Sequence, residues 1–255
     1  MEKLFIKARG GEKIAVIIDR SNNSKGLVFV LHGLGSSKDS DYIKAFAQAF
    51  SDKDFTVIRF DHRHSNNESE GEYKDVNFTN TYQDLEDVIN WAKSQDWYRE
   101  PFVLSGHSMG AGCAIWYAVN NPKKVLALAS ISTVIGGRQT LDKFKKEDLT
   151  AYVDNNNLSF KNRILLEIQW YKFKKDILNY NLFPEVSKVN IPIIMIVGEK
   201  DINTPLEDQM KVYNAVSGDK EIHVIKEATH TFREANHLAE IASLLKNWID
   251  NKVLK

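Results

Sequence analysis

The chain has 255 residues with a hydrophobic fraction of 43%, enough for a sizeable core and too much for a disordered chain. Lys plus Arg and Asp plus Glu both number 34, so the formal net charge is zero and no global field draws in nucleic acid or an anionic membrane. Cys113 is the only cysteine, which excludes an intrachain disulfide. The length is near the upper end for one α/β domain, so one domain with an insertion is expected.

The segments Leu4 to Ala8 and Lys13 to Asp19 read as two strands around the Gly10-Gly11 turn, a hairpin antiparallel at one sheet edge. Leu27 to Leu31 is a continuous apolar run that ends in His32-Gly33-Leu34-Gly35. Ile43, Phe46, Ala47 and Phe50 form a helical stripe, and Phe55 to Phe60 is the next strand. Leu85, Val88, Ile89 and Ala92 mark another helix.

The stretch Pro101 to Asn121 then carries the strongest signal. Phe102-Val103-Leu104 suits a buried strand, Gly106-His107-Ser108-Met109-Gly110 follows, and Ala111, Ala114, Ile115, Ala118 and Val119 recur at helical spacing. Strand, sharp turn and helix around G-x-S-x-G is the context of a nucleophile elbow. The serine of such an elbow sits in a strained turn, which is why its neighbours are small. The helix N-terminus behind it faces the negative charge that develops in reaction. Cys113, on the inward side of that helix, reads as a buried small hydrophobe rather than a reactive thiol.

Val125 to Ile131 is a further strand, and Ile193 to Val197 another. A helix through Met210 and Val212-Tyr213, a last strand at Glu221 to Ile225 and a closing helix on Ile241, Leu244, Leu245, Trp248 and Ile249 complete the chain. Strands alternating with helices, mostly as continuous apolar runs, predict an α/β fold with a mostly parallel sheet covered on both faces. Ile191 to Val197 is the best apolar run, it is broken by Pro192, and no run approaches membrane-spanning length. MEKLFIKARGGEK has no continuous apolar core of a signal peptide, and a cytoplasmic location is expected.

Between Thr133 and Ser187 the alternation stops, which divides the chain into a core of 1–133 and 187–255 and an insertion of 134–186. Leu165 to Leu178 reads as a helix and Asp154-Asn155-Asn156-Asn157 as a turn. The insertion follows the strand after the elbow, which places it over the C-terminal ends of the strands, where ligands bind in open α/β sheets. We expect a cap over residues 135–183 whose aromatics, Tyr152, Trp170 and Phe173 first among them, line a substrate pocket. The competing reading makes them the cap's own packing.

With the elbow, the His-Gly loop and the strand order together, the chain resembles the α/β-hydrolase family over nearly its whole length. It is most similar to small esterases of the cinnamoyl/feruloyl esterase and monoacylglycerol lipase kind. That resemblance implies an α/β-hydrolase fold and a triad in the chain order Ser, Asp or Glu, His. Ser108 matches the nucleophile. Asp201, after IPIIMIVGEKD, matches the acid, with Glu199 as its competitor. His230, in Glu227-Ala228-Thr229-His230-Thr231-Phe232, matches the histidine, while His107, inside the elbow, points wrongly for a base. The resemblance also implies an oxyanion hole of the backbone N–H groups of Leu34 and Met109.

One loop departs from the family. Relatives carry D-x-R-G-x-G before Ser-x-Gly, whereas Asp61-His62-Arg63-His64-Ser65-Asn66-Asn67-Glu68-Ser69-Glu70-Gly71 lacks both inner glycines and looks one residue longer. His62 and His64 among acids raise a metal, but no third ligand at a known spacing is evident, and polar loop structure is the expectation. The expected activity is a serine hydrolase on a short acyl or aryl carboxylic ester through an acyl-serine, with no metal or organic cofactor. A small-molecule ester is the expected partner, with no nucleic acid and no membrane span; the oligomeric state is open, a homodimer among the options. Peptidase, thioesterase and acyltransferase readings use the same triad, and a catalytically silent binding protein is the rival from another class.

Overall fold

The computed structural model describes residues 1–142 and 169–255. One eight-stranded sheet runs through the molecule in the order β1-β2-β4-β3-β5-β6-β7-β8. Its strands are β1 (Glu2–Lys7), β2 (Lys13–Asp19), β3 (Gly26–Leu31), β4 (Phe55–Phe60), β5 (Phe102–His107), β6 (Val125–Ile131), β7 (Ile193–Gly198) and β8 (Lys220–Ile225). β1 and β2 form the expected antiparallel hairpin, and β2 pairs antiparallel with β4. From β4 to β8 every pairing is parallel. All six residues of β3, β4, β5 and β7 are buried, because helices cover both faces. That double coverage is why these strands read as unbroken apolar runs rather than as alternation.

The helices are α1 (Asp41–Ser51), α2 (Phe78–Ala92), α3 (Met109–Asn120), α4 (Gly137–Asp142), α5 (Trp170–Ile177), α6 (Leu206–Ala215) and α7 (Ala235–Trp248), the last continued by a π-helical turn at Ile249–Val253. Two apolar clusters separate the faces. On one, Ile43, Phe46 and Phe50 of α1 meet Ile241, Leu245 and Trp248 of α7. On the other, Leu85, Val88 and Ile89 of α2 meet Cys113, Ala114 and Tyr117 of α3. The spacing i, i+3, i+7 on α1 carries its apolar stripe to the sheet; each such side chain contributes on the order of 1.5–3 kcal/mol by leaving water. Cys113 is fully buried there, as a small apolar group.

Among the described residues the stretch between β6 and β7 holds no strand. It contains α4, α5, a helical turn over Leu182–Glu185 and a 3-10 turn at Val186–Lys188. The two limbs of this stretch meet at their base, where Gly137 N–H donates to the Tyr180 carbonyl at 2.9 Å and Leu182 N–H to that of Ile135 at 3.1 Å. α5 has a buried and an exposed face. Phe173 and Ile177, one turn apart, are buried in the core cluster, and Tyr171 is 80% exposed. The helix predicted over Leu165 to Leu178 begins, within the described residues, at Trp170 and ends at Ile177. Tyr152 and the Asp154 to Asn157 turn lie outside the described residues.

This stretch docks on the start of α2 through polar contacts. Asp176 accepts the Thr79 N–H at 3.0 Å and also the Thr79 hydroxyl. The Tyr180 hydroxyl meets the same Thr79 Oγ1 at 2.7 Å, and its ring lies 4.2 Å from that of Phe78. Gln169 N–H donates to the Lys74 carbonyl at 2.8 Å. A carboxylate at α2's first turn satisfies an N–H that no helical carbonyl can reach and faces the positive end of the helix dipole.

Candidate active site

Ser108 stands between the last residue of β5 and the first of α3, with φ at +54°. A side chain other than glycine avoids that region unless its surroundings fix it. Here three backbone bonds do so: Ser108 N–H donates to the Ile131 carbonyl at 2.9 Å, and the Ser108 carbonyl accepts from Gly112 and Val134, each at 3.1 Å. Gly110 is needed for close approach, since a Cβ there would lie 2.4 Å from the His32 carbonyl oxygen. The sharp turn therefore forces the loop after β3 against the first turn of α3.

His230 arrives from the loop after β8. Its Nε2 lies 3.0 Å from Ser108 Oγ, and its Nδ1 lies 2.8 Å from Asp201 Oδ2. The partners set the tautomer: Nδ1–H donates to the carboxylate, which leaves Nε2 free to accept from the serine. Asp201 is anchored in turn. Its Oδ1 accepts N–H bonds from Asn203 and Thr204, each at 2.9 Å, and its Oδ2 accepts the Thr204 hydroxyl at 2.8 Å. Burial pushes this carboxyl up, but the His230 hydrogen bond, the His230 charge and the Thr204 N–H outweigh it and hold the acid well below the usual carboxylate range. Glu199, the competing acid, instead accepts the Glu227 N–H at 2.8 Å. The three matched residues are thus brought together in the order Ser108, His230, Asp201.

The backbone N–H groups of Leu34 and Met109 have no acceptor among the described residues. Met109 is the first residue of α3, so its N–H is one that the helix cannot satisfy. Leu34 is brought alongside by Gly33, where a Cβ would lie 2.9 Å from Ser108 Cβ. The loop that carries Leu34 is itself held from beneath. Lys38 N–H donates to Asp61 Oδ1 at 2.8 Å, and the Lys38 ammonium, fully buried, donates to Asp61 Oδ2 at 3.0 Å. Arg59 Nη1 donates to the Lys38 carbonyl at 2.7 Å.

The loop that departs from the family pattern is wound into this support. His62 N–H donates to His32 Nε2 at 3.0 Å, and the two imidazoles pack 4.4 Å apart. Arg63 binds Asp84 of α2 through its backbone N–H at 2.7 Å and through Nε at 2.5 Å. His64 faces the Glu72 carbonyl at 3.2 Å. No group of three or more His, Cys, Asp or Glu among the described residues is placed to hold a metal ion.

Three residues near the site gave no sequence signal of this role. Thr204 reads as a loop residue before Pro205, yet it supplies a hydroxyl and an N–H to Asp201. Gln209 of α6 is buried; its Nε2 donates to the Thr133 and Thr204 carbonyls at 3.0 and 3.3 Å, and its Oε1 accepts the Thr133 N–H at 3.1 Å. It ties the end of β6 to the acid loop. Lys38 sits in Ser36-Ser37-Lys38-Asp39, a stretch whose composition reads as a solvated loop. Of the expected pocket residues, Phe173 is 2% exposed within the core cluster, and Trp170 is the first residue of α5.

A sheet of this order with a serine elbow after β5, an acid after β7 and a histidine after β8 defines an α/β hydrolase. A family model for the alpha/beta hydrolase fold matches residues 26–165, more than half of the chain, and the chain belongs to that family. It is 24% identical over 277 residues to the "Uncharacterized 31.7 kDa protein in traX-finO intergenic region" of Escherichia coli, covering 95% of this chain and 96% of that one. It is also 24% identical over 239 residues to the human mitochondrial palmitoyl-protein thioesterase ABHD10, covering 89% of this chain and 74% of that one. Among solved structures it is similar to ferulic-acid-bound Est1E from Butyrivibrio proteoclasticus, with a TM-score of 0.78 at 16% identity, 99% of this chain and 100% of that one being covered. Among the described residues no helix is long and apolar enough to cross a membrane.

Proposed function

We propose that this α/β hydrolase is a serine-dependent esterase that cleaves a carboxylic ester, of a short acyl or aryl acid, through an acyl-serine. The carrying observation is the continuous path Ser108 Oγ, His230 Nε2, His230 Nδ1, Asp201 Oδ2, with steps of 3.0 and 2.8 Å, beside two unengaged N–H groups. In the first step Ser108 Oγ bonds to the carbonyl carbon as its proton passes to His230 Nε2. The carbonyl oxygen gains the negative charge and is held by the N–H groups of Leu34 and Met109. Collapse breaks the bond to the leaving oxygen, which takes the proton back from His230. Water then repeats the sequence on the acyl-serine, releases the acid and restores Ser108. Every proton and electron pair in these steps is carried by Ser108, His230, the substrate and water.

The Asp201 carboxylate keeps Nδ1 protonated and stabilises the imidazolium between the steps. A cavity of about 440 Å³ lies next to the histidine loop, between Ser36 and Tyr42 on one side and Thr231 and Arg233 on the other. Thr231, the residue after His230, lines it, which favours this cavity as room for the departing alcohol.

A second reading has the same residues hydrolyse a thioester, and the likeness to a palmitoyl-protein thioesterase supports it. Both readings require the same nucleophile. A fluorophosphonate probe is expected to label Ser108 alone, read by intact mass and peptide mapping. A folded protein that takes no label, or takes it elsewhere, removes both readings. Turnover of matched oxygen esters and thioesters of acetic, cinnamic and palmitic acids then separates them: the ester reading expects the oxygen esters to have the higher kcat/KM.

A further inference from the structure

We propose that His107, inside the elbow, is a positioning residue that holds the general base by its main chain and so sets the reach of His230 to Ser108. The inference rests on the serine-hydrolase reading above and adds a residue to it.

His107 is the last residue of β5 and the immediate neighbour of Ser108. Its Nε2 lies 2.7 Å from the backbone carbonyl oxygen of His230. A carbonyl only accepts, so Nε2 carries the proton, and the buried Nδ1 has no hydrogen-bond partner among the described residues. The ring is buried and packs against three rings, two from the loop after β8 and one from α1. It lies 4.7 Å from the His230 ring, 4.6 Å from the Tyr42 ring of α1 and 6.2 Å from the Phe232 ring. On its other side a Cβ at Gly33 would come within 3.1 Å of its Nδ1, so the loop that carries Leu34 also rests on it. One side chain thereby spans the elbow, the loop after β3 and the loop after β8.

The loop that carries His230 is anchored on either side of it by Ala228 and Phe232, both fully buried, while the His230 carbonyl itself is held by His107. Two of its residues, Glu227 and Phe232, hold φ at +60° and +46°, conformations that persist only where the surroundings impose them. The His230 ring is bonded at both nitrogens, Nδ1 to Asp201 at 2.8 Å and Nε2 to Ser108 Oγ at 3.0 Å. A ring bonded only through its nitrogens can still shift with its backbone; the His107 bond to the His230 carbonyl fixes the backbone from which Nε2 reaches. Burial first, and then the nearby His230 charge, lower the basicity of His107 to about 3. It therefore stays a neutral donor while His230 takes up its proton.

The test compares wild type with His107→Leu, His107→Asn and His107→Gln. Glutamine places an amide N–H where the imidazole Nε2–H stood; asparagine stops short of the carbonyl, and leucine has no donor. For each we would measure the fluorophosphonate labelling rate at Ser108, kcat and KM on 4-nitrophenyl acetate, Tm, and the low-field proton resonance of the His230 Nδ1–H. Leucine and asparagine are expected to lower the labelling rate and kcat by roughly tenfold to a hundredfold, the scale of a displacement near 1 Å at a reacting group, with KM unchanged and the resonance broadened. Glutamine restores most of the rate and the sharp resonance. The proposal is overturned if asparagine or leucine reacts at the wild-type rate, if the loss appears in KM, or if glutamine falls as far as leucine. Should leucine fail to fold, asparagine and glutamine carry the comparison. A wild type that takes no label removes the serine-hydrolase reading instead, and the His230 resonance then still reports whether His107 holds the ring.

Discussion

Ser108, His230 and Asp201 act as one unit in the proposed chemistry, so their variants should not add. Ser108→Ala and His230→Ala are each expected to reduce kcat by about 10⁴-fold or more, and the double variant to be little worse than either. Asp201→Asn loses the acceptor that fixes the Nδ1–H tautomer and is expected to cost a similar or smaller factor. Glu199→Gln should leave turnover near wild type, because its carboxylate serves the Glu227 N–H rather than the imidazole. Additive losses in the logarithm of kcat, or a Glu199 variant slower than Asp201→Asn, would contradict this arrangement. At this scale the elbow is legible in the sequence because its chemistry needs local geometry: a strand, a positive-φ turn and a helix occupy consecutive positions. The acid is less so. Asp201 and Glu199 are two residues apart after the same strand, and what separates them is His230, which meets Asp201 only in space.

In the insertion, two readings of the aromatics stood side by side, pocket lining and the cap's own packing; Phe173 is buried in the core cluster with Ile177, which favours packing for that residue. Phe173→Ala is therefore expected to cost about 3–5 kcal/mol of stability, as for other buried phenylalanines. It should leave the ratio of kcat/KM between an acetyl and a bulky aryl ester unchanged. A shift of that ratio by about 1–3 kcal/mol with little change in Tm would restore Phe173 to the substrate pocket. The attachment of this element to α2 through Asp176, Thr79 and Tyr180 had no local signature. Asp176 reads as one acid among the lysines of a surface helix, and its partner lies 97 residues away in sequence.

For the whole molecule, buried imidazoles give acid sensitivity a direction. His32, His62 and His107 are buried, and burial is in each the first cause that lowers basicity below the ordinary value of 6.5. Below pH 6.5 the unfolded chain takes up protons that the folded one refuses, so these groups make stability fall as pH falls. For His107 the window runs from 6.5 down to about 3. His107→Gln, which does not titrate there, is expected to flatten the fall of Tm between pH 6.5 and 5 relative to wild type. Equal slopes for the two proteins would mean that His107 is not held neutral.

The alternating parallel sheet, the antiparallel hairpin at its edge, the elbow at Ser108 and the place where the rhythm breaks are all readable in the order of residues. Each of these is written in neighbouring residues: apolar runs of strand length, stripes at helical spacing, glycines beside one serine. Which acid meets His230, the burial of Lys38 against Asp61, the Gln209 tie between β6 and the acid loop and the reach of His107 to the His230 backbone emerge only in three dimensions. The physical reason is common to all four. A polar side chain buried far from its partner in sequence is stable only when that partner's hydrogen-bonding group arrives through the fold, and nothing in the local pattern of residues specifies the arrival.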